Sequence, residues 1–476
     1  MENPKNLHLV MFPWLALGHI TPFLELSKSL AQKNHHISFI STPRNIQRLP
    51  EIPPHLSHLI DLIKLPLPNI HGDEELPANA EATIDLPFNK VYLLKKAFDA
   101  LQQPLTKFLE ISKPDWIIHD FTSGWLPSIA TNLGISSGVF CTFNASFLSY
   151  MGSPTDFVTF NGRTSLEDWI SPPKWIPFPS NLAYTLHELI KLSKADDKGM
   201  GQSDARRMGS ALIGCDAVFV RTCLEFESEW VEVVQDLYKK SVIPVGLIPP
   251  TIRETSQVKE DEKWLMMKSW LGEQKEKSVI YVALGTEAIL SPNEVTELAH
   301  GLELSRLPFI WIQRTPPGAS DGYWVESLPE GFTERTKGQG LVYSCWVPQL
   351  QILSHKSIGC FLTHCGWNSI IEGLGFGCPL VLLPIMNDQP LVARLLSWKK
   401  IGLEVPREEQ TGDLKREQVV KAVMTVMLEE EGEIFRANAR NMKEIVGNKA
   451  LQQKYVDEFE QFLKAHRCKT GLLPTV

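Results

Sequence analysis

Along the chain, short runs of apolar and β-branched residues alternate with longer stretches in which apolar residues recur every three or four positions. This rhythm predicts parallel βαβ units. Strands buried on both faces read as continuous apolar runs, whereas their crossover helices carry one apolar face. The predicted strands of the first half are Leu7–Phe12, Ile37–Ser41, Trp116–His119, Gly138–Thr142 and Ala217–Val220. Thr21 followed by Pro22 predicts an N-cap with proline at the first helical position, and Phe23, Leu26 and Leu30 mark the apolar face behind it. On this reading the first strand runs through a loop, Pro13 to Ile20, before its helix begins.

A second series of predicted strands comprises Val279–Leu284, Phe309–Ile312, Leu341–Tyr343, Gly359–Leu362 and Leu380–Leu383. Between the two series lie Pro249-Pro250 and then residues 253–277, of which twelve of twenty-five are charged, which predicts a solvated linker and a short helix. The expected organisation is an N-terminal domain over 1–248, a linker over 249–262 and a C-terminal domain over 263–449, with a last helix at about 450–466 packing back onto the first domain. Ser291-Pro-Asn-Glu294 has capping-box spacing, with Pro292 at the first helical position. The fold class is α/β, with two Rossmann-like, doubly wound domains facing a cleft. Such sheets bind ligands beyond the carboxyl ends of their strands, so the chemistry belongs in the loops that follow strands.

Composition narrows the partners. The 476 residues suit two or three domains. Lys and Arg number 47 against 55 Asp and Glu, a net charge of −8 with pI near 5.9, so there is no basic surface for nucleic acid and any phosphate must be held locally. The apolar stretch Leu7–Ile20 is interrupted by His8, Pro13 and His19, has no basic leader and falls short of the ~20 residues a bilayer demands, so neither a signal peptide nor a membrane helix is expected. Eight cysteines scattered without a paired framework point to a reduced, cytoplasmic compartment. Neither Cys360 and Cys365 nor His355 and His364 have the partners zinc spacing requires, and no metal site is expected.

The richest stretch is the 44 residues from Trp346 to Gln389. The strand ending at Leu362 is followed by Thr363-His-Cys-Gly-Trp-Asn-Ser369 and then by a helical pattern, which sets Gly366, Asn368 and Ser369 at a helix N-terminus. Such an end offers backbone N–H groups and the positive end of the helix dipole, enough to hold a diphosphate without much basic charge. A plain Asn or Ser cap is the simpler alternative. Trp346 adds a flat face for a base, Gln349 an amide, Glu372 a carboxylate able to accept from two ribose hydroxyls, and Asp388-Gln389 planar groups that match adjacent hydroxyls of a pyranose.

In order, these residues resemble the nucleotide-sugar box of the plant family 1 UDP-glycosyltransferases: Trp346-x-Pro-Gln349, His355, Gly359, Phe361, Thr363 to Ser369, Glu372, Gly377-x-Pro379, Pro384 and Asp388-Gln389. The likeness extends over the chain through Phe12 to His19, Ser41 to Asn45, Pro114 to Asp120 and Ala283-Leu-Gly-Thr286. It implies the two-domain GT-B fold and a donor site made by Thr286, Trp346, Val347, Gln349, His364, Gly366, Trp367, Asn368, Ser369, Glu372, Asp388 and Gln389. Trp346 is implied to stack on uracil, Gln349 and Glu372 to hold the ribose, Thr286, His364, Asn368 and Ser369 to meet the diphosphate, and Trp367, Asp388 and Gln389 to grip the sugar. Two departures are small: Thr286 stands where many relatives have Ser, and Cys378 falls at a variable position.

His19 and Asp120 form the second constellation. They are 101 residues apart, yet both follow strands predicted to share one sheet. A histidine can take the proton of an acceptor hydroxyl while a carboxylate on its other nitrogen fixes the tautomer, and the resemblance implies this pair as base and partner, with inversion at the transferred carbon. For the acceptor, the aromatic residues Phe121, Trp125, Phe143, Phe147, Tyr150, Trp169, Trp175 and Phe178 offer apolar surface, and Phe121, Trp125 and Asn144 are favoured because they follow strand ends. Glu81 to Pro87 and the Arg44-Asn45 loop resemble the branch with many enzymes that extend a sugar on flavonoids or terpenoids. UDP-glucose is the first expected donor and UDP-rhamnose the second. The UDP-sugar is a co-substrate, so no cofactor is expected, and a monomer suffices.

Overall fold

The computed structural model describes residues 6–69, 75–159, 163, 165–196, 203–251, 262–287, 289–315 and 327–467, so that most of the expected linker lies outside the described residues. The chain divides into two compact units. One comprises Met1–Leu166, Ala195–Ile248 and Ala450–Val476, the other Glu167–Lys194 and Pro249–Lys449. The division differs from a cut at residue 248, because Glu167–Lys194 joins the second unit.

Among the described residues the first unit carries a seven-stranded sheet. Its strands are β1 (His8–Phe12), β2 (His36–Ser41), β3 (Ile60–Lys64), β4 (Trp116–His119), β5 (Ser136–Cys141), β6 (Ala217–Val220) and β7 (Ser241–Pro244). Their spatial order is β3-β2-β1-β4-β5-β6-β7, and every pairing is parallel. The chain winds outward from β1 to β3 and then returns to the other side of β1 as β4, which makes the β1/β4 gap the topological switch point. Leu9, Met11, Ile37, Phe39, Trp116, Ile118, Phe140 and Phe219 form one buried core with Phe23 and Leu30 of the first helix.

That helix spans Leu17–Ala31, five residues earlier than Thr21-Pro22 suggests. Ala16 is its N-cap, without a side-chain hydrogen bond, and Pro22 lies inside. Burial of Ile20 and Phe23 against the sheet outweighs the local start signal, and His19 thereby sits on helical backbone in the first turn. The helix Lys449–His466 closes the same core with Phe459 and Leu463. It is also tied by the Trp116 indole N–H to the Leu463 carbonyl (3.0 Å) and by the Tyr455 hydroxyl to Glu225 (2.8 Å).

The second unit repeats the design with a six-stranded parallel sheet among the described residues: β8 (Val279–Ala283), β9 (Phe309–Ile312), β10 (Gly340–Tyr343), β11 (Ile358–Thr363), β12 (Leu380–Leu382) and β13 (Gly402–Glu404). Their order is β10-β9-β8-β11-β12-β13, so the switch point lies between β8 and β11. Ser291 caps the helix Pro292–Ser305 in a full capping box with Glu294, as its spacing predicts. The segment Glu167–Lys194 is held to this unit by the Tyr184 hydroxyl on the Asn387 carbonyl (3.0 Å) and by Glu188 paired with Arg394 (2.9 Å), which also pairs with Glu404. Among the described residues no helix is long and apolar enough to cross a membrane.

Candidate functional site

The first switch point brings His19 and Asp120 together. His19 Nδ1 is 2.8 Å from Asp120 Oδ2, with 14% of the histidine side chain and 1% of the aspartate exposed. The carboxylate is held from three sides: Oδ2 also accepts from the Trp14 N–H at 3.0 Å, and Oδ1 accepts from the Phe121 N–H at 2.8 Å. A carboxylate that only accepts places the imidazole proton on Nδ1, which makes Nε2 the basic nitrogen. The Thr142 hydroxyl, one residue beyond β5, stands 3.0 Å from the same Nδ1. Sequence reasoning missed Thr142, although its place at the end of a predicted strand was the signal that could have found it. His119 beside the pair is different. Fully buried, it bonds through Nδ1 to Ser123 (2.9 Å), and burial pulls its pKa to about 4.

Two phenylalanine rings flank His19, and a third extends the row. Phe121 and Phe143 lie 5.5 and 5.6 Å from the imidazole and 5.7 Å from each other, and Phe147 continues the row 4.8 Å from Phe143. Trp125 is not among them by its ring contacts. It packs on Phe12 and Phe98 and donates its indole N–H to Asp99 at 3.2 Å, a position that braces the first strand against the helix Val91–Asp99. Asn144 is fully buried as the N-cap of the helix Ala145–Met151. Its Oδ1 accepts from the Phe147 N–H at 3.1 Å, while its Nδ2 meets no partner among the described residues. The same helix start is anchored by the buried Glu227 carboxylate, which accepts from the Ala145 and Ser146 N–H groups at 3.2 and 3.0 Å.

The second switch point is built from small residues. β8 turns at Gly285, with φ +78°, into Thr286, and β11 turns at Cys365, with φ 71°, into the helix Trp367–Gly375. His364 fills the space between the turns. A methyl group on Gly285 would fall 2.4 Å from its Nε2, and one on Gly366 2.5 Å, so the ring occupies the room that two absent side chains leave. Burial lowers the His364 pKa to about 4, and the ring is neutral at pH 7. The helix N-cap is Gly366, without a side-chain cap, so Asn368 and Ser369 are not capping residues but the second and third positions of the first turn. The N–H groups of that turn have no intrahelical carbonyl to reach.

On the same sheet edge Trp346 is 66% exposed, with Val347 buried beside it. The Arg314 guanidinium lies 4.4 Å from the Trp346 ring centroid, and burial draws its pKa below the ordinary value. Gln349 donates to Glu372 at 2.6 Å and accepts from the Tyr281 hydroxyl at 3.1 Å. After β12, the loop to the helix Gln389–Trp398 brings Asp388 and Gln389 next to each other. The Gln389 amide oxygen accepts from the Ile385 and Met386 N–H groups at 3.1 and 3.0 Å, which leaves its NH2 as the group it can offer. Tyr184 holds this loop through Asn387. Tyr281, Arg314 and Tyr184 had no signal in the sequence, because each meets its partner across a long separation with no local motif.

Two parallel sheets, one bearing a histidine–carboxylate pair and the other a helix end flanked by an aromatic face and a carboxylate, define a group-transfer enzyme acting on a nucleotide-linked substrate. Comparison with known proteins gives the family. Residues 243–452 match the family model described as UDP-glucoronosyl and UDP-glucosyl transferase. The chain is 48% identical to UDP-glycosyltransferase 91C1 of Arabidopsis thaliana, over 98% of both chains. It is 39% identical to the soyasaponin III rhamnosyltransferase of Glycine max, over 98% of this chain and 97% of that one. Among solved structures, the fold resembles Glycyrrhiza uralensis UGT73P12, crystallised with glycyrrhetinic acid 3-O-monoglucuronide, with a TM-score of 0.79 at 21% identity over 97% of this chain and 96% of that one. The protein belongs to the plant UDP-glycosyltransferases, GT-B enzymes that transfer glycosyl groups.

Proposed function

We propose that the protein transfers a hexosyl group, glucose from UDP-glucose first, to a hydroxyl of a plant small molecule such as a flavonoid or terpenoid, or to the sugar of its glycoside, with inversion. The observation that carries this reading is the His19–Asp120 pair at the first switch point, flanked by Phe121 and Phe143 with Phe147 behind Phe143. The acceptor hydroxyl gives its proton to His19 Nε2, and its oxygen forms a bond to the anomeric carbon from the face opposite UDP. The bond from that carbon to the diphosphate oxygen breaks, its electron pair leaves with UDP, and Asp120 balances the imidazolium. Thr286, His364, Asn368, Ser369 and the first-turn N–H groups from Gly366 onward receive the diphosphate. Trp346 carries the uracil with Val347 beside it, Gln349 and Glu372 serve the ribose, and Trp367, Asp388 and the Gln389 NH2 read the sugar. No cofactor takes part, and the monomer is the working unit.

A second donor, UDP-rhamnose, is favoured by one finding: a relative 39% identical over 98% of the chain bears the name of a rhamnosyltransferase. A panel of UDP-glucose and UDP-rhamnose against flavonoids, terpenoids and their monoglycosides, read by UDP release and product mass, tests both. A hexosyl mass increment on an acceptor supports the first reading and a deoxyhexosyl increment the second. Conversion of the donor that does not depend on any acceptor would overturn both.

A further inference from the structure

Tyr281 stands in the middle of β8, fully buried, its ring stacked on Phe361 of β11 with centroids 5.1 Å apart. Its hydroxyl meets Gln349 Oε1 at 3.1 Å, and Gln349 Nε2 meets Glu372 Oε2 at 2.6 Å. Donor and acceptor chemistry fixes the direction of this series. A carboxylate only accepts, so the amide turns its NH2 toward Glu372, and its oxygen then faces the phenol, which donates. Burial, reinforced by the negative Glu372, holds the Tyr281 pKa far above its ordinary value, so the donor is never lost at physiological pH. The amide of Gln349 is thus engaged at both ends by protein groups. The terminal torsion of a glutamine is otherwise broad and two-fold, and removing the phenol hydroxyl would release it.

We propose that Tyr281 is a positioning residue for the donor: through Gln349 it holds the Glu372 carboxylate in the orientation that accepts from the ribose hydroxyls of UDP. The inference rests on the reading of Glu372 as the ribose group, and it recasts Gln349 as the link that aims that carboxylate. Series of hydrogen bonds polarise one another in a shielded environment, so the phenol acts on the carboxylate without touching the ligand.

The test is Tyr281→Phe, which removes one oxygen and keeps the ring on Phe361. UDP, 2′-deoxy-UDP and 3′-deoxy-UDP are titrated calorimetrically against the wild type and the variant, with Tm measured alongside. The wild type should prefer UDP over at least one deoxy analogue by ~10-fold or more, the scale of a hydrogen bond to a charged group. In the variant that ratio should fall severalfold because UDP binding weakens and analogue binding does not, and donor KM should rise with kcat retained. Equal weakening of all three ligands would mark Tyr281 as merely structural and overturn the proposal. Gln349→Met should lower the same ratio, and the double variant should lose no more than the larger single effect; additive losses would also overturn it. A wild type indifferent to both ribose hydroxyls would overturn the ribose reading of Glu372 itself. A discriminating wild type with an equally discriminating variant would overturn the role of Tyr281 alone.

Discussion

In the first sheet the strands that flank the reversal of order, β1 and β4, deliver His19 and Asp120; in the second, β8 and β11 deliver Gly285-Thr286 and the turn His364–Gly366. The topology is the same and the construction is opposite. The first switch point is made of side chains locked to each other and to backbone donors, with Asp120 accepting from Trp14, Phe121 and His19. The second is made of withheld side chains, since Gly285 and Gly366 leave the volume that His364 enters and bring bare backbone to the helix end. On the proposed function, the difference follows from what each would handle. A proton taken at one atom calls for a titratable group and a fixed tautomer. A diphosphate spreads charge over several oxygens, which backbone N–H groups meet best at close range.

The two switch points should part most sharply at the base. His19→Ala should lower kcat by ~10²–10⁴ while UDP binding stays near the wild-type value, because the imidazole belongs to the first sheet's site. Asp120→Asn should follow with a loss of ~10² and little change in Tm. An amide oxygen can accept where only one carboxylate oxygen did, so the His19, Trp14 and Phe121 donors cannot all be served. Initial rates and UDP titration on both variants decide the matter, and comparable loss of UDP affinity would erase the division of labour.

Acid should strain both switch points. His119 is fully buried and His364 partly so, and desolvation holds each pKa near 4, against 6.5 in the unfolded chain. Above pH 6.5 both states are neutral and the full stability is present. Between pH 6.5 and about 4 the unfolded chain binds protons that the folded one refuses, so stability falls, by roughly 3 kcal/mol across that window for the fully buried His119 and by less for the partly exposed His364. Tm recorded from pH 7.5 to 4.5 should fall, with a shallower slope in His119→Asn.

A smaller effect is expected where a side chain is added to the second site. Gly285→Ala places a methyl group against His364 at a left-handed φ, costing ~1–2 kcal/mol of stability, and should weaken UDP binding with the chemistry at His19 untouched. Thermal melts and UDP titration together would expose an error here if stability fell and UDP affinity did not. The smallest is Gln389→Ala. Loss of a neutral hydrogen bond worth ~0.5–1.5 kcal/mol should reduce donor affinity by several-fold up to about tenfold and change binding of free UDP less, as titration of UDP, UDP-glucose and UDP-rhamnose would reveal.

The strands were legible because both faces of a parallel sheet are buried, so β1, β4, β6 and β8 announce themselves as apolar runs. The position of Asp120 could be read for the same reason, since it directly follows β4, whereas His19 lies seven residues past β1, in the first turn of the helix and not in the expected loop. The start of the first helix could not. Thr21-Pro22 is a sound local signal, and only the packing of Ile20 and Phe23 explains why the helix begins at Leu17. Trp125 was equally opaque. An aromatic residue after a strand can face a ligand or the core, and its contacts with Phe12, Phe98 and Asp99 come from positions no local motif links to it. The place of Glu167–Lys194 depends on Tyr184 and Glu188 finding Asn387 and Arg394 about two hundred positions away, a match no window of sequence contains.

The closing helix Lys449–His466 gives the molecule an order of assembly in time. The seven-stranded sheet is encoded first, yet Phe459 and Leu463, which complete its core, are translated after the whole second unit. At the ~5–20 residues per second of protein synthesis, the roughly two hundred residues from Pro249 to Lys449 impose a wait of about 10–40 s. During that interval the first unit emerges with apolar surface around Trp116 and Phe219 uncovered, while Tyr184 and Glu188 wait for partners not yet made. The unit begun first is therefore the one finished last, and a ribosome stalled near residue 449 would hold a chain with every described strand of both sheets and an unsealed core.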